Sequence, residues 1–226
     1  MGAQEAWGPL TFDVVALKLE VDDLYGDLSY RIAEILLSVP AVLWAITFHE
    51  FCHGYVAHLL GDPTPKRSGR LSLNPLHHLD PVGALMLLIF RFGWAKPVPV
   101  DSRYFKNPSR DLVLVSLAGA AGNFLTACLV GLLIKAFPAF FLGNFALRQL
   151  MLLMVFINIG LGVFNLLPIP PLDGSKVLYV LLPPRWLNSY FWLERYGVLI
   201  ILGLVITGFL PRIMSPMVMF LASLVL

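Results

Sequence analysis

The string HEFCH at residues 49–53 carries three side chains whose types and spacing suit metal chemistry. On a helix, His49 and His53 lie one turn apart on one face, so both imidazoles can reach the same metal ion. Glu50, beside the first histidine, can hydrogen-bond a water molecule at that metal. Ionisable residues inside apolar segments are costly, and they indicate function there. The alternative is a set of buried polar residues that neighbouring helices satisfy.

The pattern His-Glu-x-x-His is typical of zinc metalloproteases, and a catalytic zinc has three protein ligands and one open position. Asp173 is the candidate third ligand, because three prolines before it stop a helix and force extended backbone at membrane depth. Such backbone is tolerated only where it lines a protein-lined or watery cavity. The alternative role of Asp173 is the N-cap of a helix over 174–182.

The composition indicates a polytopic membrane protein. Of the 226 residues, 58% are hydrophobic and only 13% are charged, which is about half the charged share of a soluble domain. The net charge of +2 is too even for a nucleic-acid-binding protein, so no nucleic-acid partner is expected. Four stretches are long and apolar enough to span a bilayer, at about 30–60, 112–137, 147–167 and 191–210.

Shorter apolar stretches accompany these spans. Residues 82–92 and 177–182 are too short to cross a bilayer, so they indicate re-entrant or interfacial segments. Residues 213–226 favour a short, tilted or interfacial helix. Pro211 and Pro216 oppose one continuous helix through this C-terminal region.

Two other segments alternate between apolar and polar residues. Residues 69–74 and 96–101 alternate with a period of two, which predicts two short strands in a small β-hairpin-like element. His77 and His78 lie between them in a basic loop, where surface or structural roles are expected. The predicted fold class is therefore an all-α polytopic membrane protein with about four transmembrane helices and this small β element.

The basic residues predict the orientation in the membrane. Eight of the 16 lysines and arginines lie in residues 61–110, and the positive-inside rule places that loop, together with the β element, in the cytoplasm. His49 then lies towards the cytoplasmic end of its span, and Asp173 follows a span that ends on the same side. Residues 1–28 hold six acidic residues against one lysine. We predict that they form an acidic extracytoplasmic segment before a membrane domain over 29–226.

Taken together, the motifs resemble the site-2 protease family of intramembrane zinc metalloproteases. The matching strings are HEFCH (49–53), NLLPIPPLDG (165–174), GRLSLNPLHHLDPVG (69–83), FGWAKPVPV (92–100) and AGAAGNF (118–124). The last three are similar to the short bacterial and archaeal branch that lacks a PDZ domain. The resemblance implies that His49, His53 and Asp173 bind one zinc ion per chain. It also implies a multi-pass protein of the cell membrane that acts in regulated intramembrane proteolysis.

The implied reaction is hydrolysis of peptide bonds in or near transmembrane segments of membrane-protein substrates. Zinc activates a water molecule, and Glu50 is the general base that moves its proton to the leaving amine. Asn165 is the first candidate donor to the developing oxyanion, because it matches the family's asparagine, and Asn123 is the second. The alternative for each asparagine is an interhelical hydrogen bond. An edge at 69–74 or 96–101 can pair with unwound substrate.

Two other functions would use the same residues. A pseudo-protease would keep the fold as a scaffold, although all four expected site residues are present. A transporter would use the cluster as an ion pathway, and broken helices in both halves with inverted repeats would be expected. The sequence has one broken segment, near Pro168, and no repeat.

Overall fold

The computed structural model describes residues 28–83 and 95–226, with side chains from residue 36 onwards. The helices are α1 (Leu28–Leu59), α2 (Thr64–Arg67), α3 (Pro108–Ala136), α4 (Pro138–Leu142), α5 (Phe145–Asn165), α6 (Asp173–Leu181), α7 (Leu187–Ile206) and α8 (Phe209–Val225). Short 3₁₀ turns lie at Pro75–His77, Ser102–Tyr104 and Pro184–Trp186. The all-α architecture predicted from the sequence is confirmed.

Within the described residues, four segments are long and apolar enough to cross a membrane, which confirms the four predicted spans. They are Leu36–Leu59, Pro108–Ala136, Phe145–Asn165 and Pro184–Ile206. Many large apolar side chains on these helices are exposed, among them Leu129, Leu132 and Ile206. In a membrane-spanning helix, such side chains face lipid without the cost that they would have in water.

The C-terminal helices are separated at Gly208, which has a φ of +69°. This left-handed conformation is open to glycine at little cost, and it ends α7 before α8 begins. The two prolines of this region do not interrupt α8. Pro211 lies in the first turn, where backbone amides have no partner within the helix, and α8 continues through Pro216. The break therefore comes from the glycine rather than from the prolines.

Helices α3 and α5 pack against each other and against α8. Their shared core contains Ala127 and Val130 from α3 and Val155 and Ile159 from α5. Gly162 lets the two long helices approach closely, because a Cβ atom there would lie 2.8 Å from the ring of Phe124. Small residues at helix interfaces of membrane proteins serve this purpose. The packing fixes α3 beside the site described below.

The predicted β-hairpin-like element is wrong for the residues that the structure describes. No strand forms there, and the segment has one isolated antiparallel bridge, between Leu79 and Ala95. The backbone amides of the second segment are used elsewhere: Val98 donates to the carboxylate of Glu50 and Asp101 to that of Asp62. The two prolines of the segment have no amide hydrogen to donate. Too few donors remain for a strand ladder.

The short apolar stretches have different outcomes. Residues 177–181 fall in α6, a helix of nine residues that is too short to span a bilayer, as predicted, and Leu182 is its C-cap. The stretch 82–92 lies mostly outside the described residues. The chain divides into two compact units, 1–37 and 38–226, and all of the site residues lie in the second unit. The predicted boundary after residue 28 stays a prediction.

Candidate metal centre

The three predicted ligands meet in the interior of the helical unit. The Oδ2 atom of Asp173 lies 3.1 Å from Nε2 of His49 and 2.9 Å from Nε2 of His53. The two Nε2 atoms are 2.9 Å apart, and all three side chains are buried. We call His49, His53 and Asp173 the metal centre. The structure thus brings together residues that are separated by as many as 124 positions in the sequence.

Two different local structures deliver these ligands. Helix α1 places the histidines one turn apart on one face, as their spacing requires. Asp173 is the first residue of α6, directly after the chain has turned back from the end of α5. Leu172 occupies the N-cap position, and no side chain caps this helix. The alternative N-cap role of Asp173 is therefore not seen, and its other carboxylate oxygen accepts a hydrogen bond from Lys176 at 3.0 Å.

Gly119 makes room for the two imidazole rings. A Cβ atom at this position of α3 would lie 2.5 to 2.6 Å from atoms of both His49 and His53. Real Cβ atoms do not come so close to other side chains, so any larger residue here would displace the rings. This requirement was not recognised in the sequence, although Gly119 falls in the string AGAAGNF.

Hydrogen bonds at the outer nitrogens fix both rings. The Nδ1–H of His49 donates to Oδ1 of Asn123 at 2.7 Å, and that of His53 donates to the carbonyl of Val115 at 2.7 Å. With Nδ1 protonated, each Nε2 carries the lone pair that a metal needs. Metal-binding histidines are usually oriented in this way, by an acceptor on the nitrogen that does not bind the metal.

Asn123 is itself held by two neighbouring helices. Its Nδ2 group donates to the carbonyl of Ala45 on α1 and to Oδ1 of Asn158 on α5, both at 3.0 Å. Asn158 in turn donates to the carbonyl of Met154 at 2.8 Å. Both asparagines are fully buried. The sequence analysis missed Asn158, although a polar residue inside an apolar span is a signal for an interhelical contact.

The donor set and its spacing fit zinc. Two imidazole nitrogens and one carboxylate oxygen form a common three-ligand zinc site with an open fourth position. Ligand atoms around a tetrahedral zinc ion lie about 3.3 Å apart, and the separations here are 2.9 to 3.1 Å. A small outward movement of the three side chains is enough to accommodate the ion. Among the described side chains, these three form a group whose ligand atoms all lie within 4.8 Å of one another, close enough to hold one metal ion.

Glu50 lies next to the metal centre and is tied to the connection between α1 and α3. Its Oε2 atom accepts a hydrogen bond from the amide of Val98 at 2.9 Å. The side chain is only partly buried. One carboxylate oxygen is therefore fixed by the backbone, and the carboxylate is not one of the three converging ligands.

The remaining candidates take different positions. Asn165, at the end of α5, donates to the carbonyl of Leu161 on its own helix at 3.0 Å. Asn123 accepts a hydrogen bond from the ring of His49. The role of either asparagine as oxyanion donor stays a prediction. His78 is buried and bonds the carbonyl of Ser72 through Nε2 at 2.8 Å, whereas His77 is exposed.

Comparison with known proteins adds independent support. The model of Peptidase family M50 matches residues 141–189, which include Asn165 and Asp173. YwhC of Bacillus subtilis is 38% identical over 195 residues, which cover 84% of this chain and 89% of that protein. Rip2 of Mycolicibacterium smegmatis is 33% identical over 84% of this chain and 74% of its own length. MJ0611 of Methanocaldococcus jannaschii is 26% identical over 91% and 92%, respectively.

These three relatives share the name "Putative zinc metalloprotease". No solved structure matched the chain. The resemblance noted from the motifs is confirmed by the family match and by the extent of the similarity to YwhC. Four helices suited to crossing a membrane and a three-ligand centre for zinc agree with it. The chain belongs to peptidase family M50, the site-2 protease family, and is a multi-pass zinc metalloendopeptidase of that type.

Proposed function

We propose that the enzyme hydrolyses peptide bonds in or near the transmembrane segments of membrane-protein substrates, with Glu50 as the general base. The observation that carries this proposal is the depth of the metal centre. His49 lies ten residues before the end of the span Leu36–Leu59, which corresponds to about 15 Å along a helix. A peptide bond must enter the bilayer region to reach this depth, and transmembrane segments are already there.

Zinc, when it is bound by the three ligands, supplies a Lewis acid for peptide hydrolysis. The proton transfers are assigned to Glu50, which adjoins His49 in the chain. The amide of Val98 holds one of its oxygens, and the other oxygen is left to accept a proton from the attacking water. The same carboxyl group then delivers the proton to the leaving amine. Asn165 remains the first candidate donor to the oxyanion, and Asn123 the second.

Access for an extended substrate is assigned to residues 96–101. This segment lies beside Glu50 without belonging to a sheet. The amides of Lys96, Val98 and Asp101 are already used, so the segment can meet an unwound substrate mainly through its carbonyl groups. Its basic surroundings support a position on the cytoplasmic side, by the positive-inside rule. The proposed partners are thus a single-span membrane-protein substrate and the lipid bilayer, and the proposed location of the centre is near the cytoplasmic face.

The test is cleavage of single-span substrates by the purified full-length chain in proteoliposomes. Mass spectrometry of the products should locate the cut within or beside the transmembrane segment. Glu50→Gln should reduce the cleavage rate by about 10²–10⁴-fold, the usual contribution of a general base, while zinc content stays unchanged. Glu194→Gln is a matched control, because Glu194 is an exposed glutamate on α7.

Three outcomes would count against the proposal. Cleavage by Glu50→Gln at the rate of the unchanged chain would show that Glu50 is not the general base. Cleavage confined to soluble peptides would show that transmembrane segments are not the substrates. Zinc flux across the vesicle membrane without any proteolysis would favour the transporter alternative.

A further inference from the structure

The connection between α1 and α3 contains a cavity of about 270 Å³ that shares no residue with the metal centre. Arg70, His77 and Lys96 line it, and Leu76 and Leu79 add apolar surface. We call this cavity the cationic pocket. Its lining combines two permanent positive charges and an imidazole, and no acidic residue is among the lining residues.

Arg70 is held in place by backbone groups and not by a carboxylate. It is only 8% exposed. Its Nη1 group donates to the carbonyl of His77 and, at 3.5 Å, to that of Lys96. No carboxylate in the described parts of the chain forms an ion pair with Arg70. Buried charges are normally paired, so this guanidinium is prepared for an anion that comes from outside the protein.

The acidic residues of the same connection are already engaged. Both oxygens of Asp62 accept backbone amides, those of Thr64 and Asp101. Asp80 accepts the amide of Gly83. The hydrogen bonds of Arg103 hold the pKa of Asp101 below its usual range, so this carboxylate is already paired as well. None of the three forms an ion pair with Arg70 or Lys96.

The other two polar lining residues are also fixed by the backbone. The Nδ1–H of His77 donates to the carbonyl of Gly69 at 3.0 Å. Within the described residues, Nε2 of His77 has no hydrogen-bond partner. The amide of Lys96 donates to the carbonyl of His78 at 2.9 Å, so Lys96 stays in position whatever its side chain binds. Among the residues with described side chains, its ammonium group forms no ion pair.

We propose that the cationic pocket binds the phosphate group of an anionic phospholipid. An arginine and a lysine that line the same cavity suit a phosphate diester. Leu76, which is 74% exposed, offers an apolar contact for the non-polar part of a lipid. The connection joins the ends of two spans, so it lies at one membrane surface. Basic pockets near the cytoplasmic surface are recognised sites for anionic headgroups.

The proposal concerns binding, and it does not depend on proteolytic activity. The full-length chain in a neutral detergent is titrated with phosphatidylglycerol, and bound lipid is counted by native mass spectrometry. Phosphatidylcholine is the reference lipid, because it has the same phosphate with no net charge. The unchanged chain should bind phosphatidylglycerol more tightly, and Lys96→Gln and Arg70→Gln should each weaken that binding about tenfold, as expected for one charge-assisted contact.

Arg67→Gln is the matched control. Arg67 is an exposed basic residue of the same connection and does not line the cationic pocket, so its loss should leave the affinity within about twofold. Lys96→Gln keeps the test decisive if Arg70→Gln fails to fold, because the side chain of Lys96 is exposed and makes no structural hydrogen bond within the described residues.

Two results would overturn the proposal. If all three substitutions weaken phosphatidylglycerol binding equally, the effect is general surface charge and not a pocket. If inorganic phosphate displaces the lipid at equal concentration, the cationic pocket takes a free phosphate ion, and the lipid assignment is wrong.

Discussion

In the metal centre, two imidazoles share one carboxylate, whereas in the cationic pocket two cations and an imidazole line a cavity without an acidic partner. The first group is buried among spans, and its outer nitrogens are held by Asn123 and by a carbonyl of α3. The second lies in the connection between spans, where carbonyl groups hold Arg70. In both regions, contacts with backbone or amide groups fix the side chains that would bind the ligand, and the ligands are of opposite sign.

The comparison shows that the charge of the ligand depends on whether a carboxylate is present among the side chains that would bind it. A carboxylate among the ligands of the metal centre favours a cation. Asp62, Asp80 and Asp101 form hydrogen bonds elsewhere, and none of them forms an ion pair with the cationic pocket. Each region can therefore be changed without the other, and that independence can be tested.

The largest expected effect is the loss of zinc from Asp173→Asn. Asparagine has nearly the same shape but lacks the charge, so the zinc content of the purified chain should fall from about one per chain to a small fraction. Elemental mass spectrometry measures this directly. Phosphatidylglycerol binding should not change, and Asp101→Asn, which alters a half-buried carboxylate paired with Arg103 away from the metal centre, should keep its zinc. Full zinc in Asp173→Asn would mean that the third ligand is wrong.

A smaller effect is expected where a residue only supports a ligand. Asn123→Ala removes the acceptor that orients His49, and it should weaken zinc binding about 10–100-fold in competition with a chelator. Asn165→Ala, which breaks only a bond within α5, should leave zinc affinity unchanged. A slower cleavage rate in Asn165→Ala would then support the oxyanion role. Equal loss of zinc affinity in both variants would contradict the distinction between the two asparagines.

The smallest expected effect is a difference between the two regions in how strongly salt weakens ligand binding. The cationic pocket is open to solvent, so raising the ionic strength from about 0.05 M to about 0.5 M should weaken phosphatidylglycerol binding severalfold. The metal centre is buried, so its zinc affinity should change little over the same range. Parallel titrations of the same preparation measure both. Identical salt dependence would show that the two regions are not electrostatically independent.

The sequence was sufficient for the parts that depend on local rules. Helical spacing places His49 and His53 on one face, whatever lies around them. The length and hydropathy of each segment predicted the four spans, with ends that differ from the structure by a few residues at most positions. The largest difference is at the start of the fourth span, which the structure places at Pro184 and the apolar pattern placed at about 191. The end of that span differs less, because Gly208 ends the helix shortly before the predicted end.

The predicted hairpin failed because alternation of residues cannot show where backbone amides are used. Val98 and Asp101 donate to carboxylates on other parts of the chain, and no local pattern records that choice. An interhelical hydrogen bond was the predicted alternative for Asn123, and the structure shows such bonds, but the sequence could not name their partners for the same reason. The contacts of Asn123 reach residues 35 to 78 positions away, so they exist only after α1, α3 and α5 have packed together.

The sequence by itself determined which elements cross the membrane and which side chains are chemically able to hold zinc, because length, hydropathy and helical spacing are properties of neighbouring residues. Only the tertiary structure decided that Asp173 meets the two histidines, that Gly119 leaves room for their rings, and that Arg70 stands without a carboxylate. These facts depend on close approach between distant segments, and a close approach is fixed by packing and by the competition of every polar group for its partners.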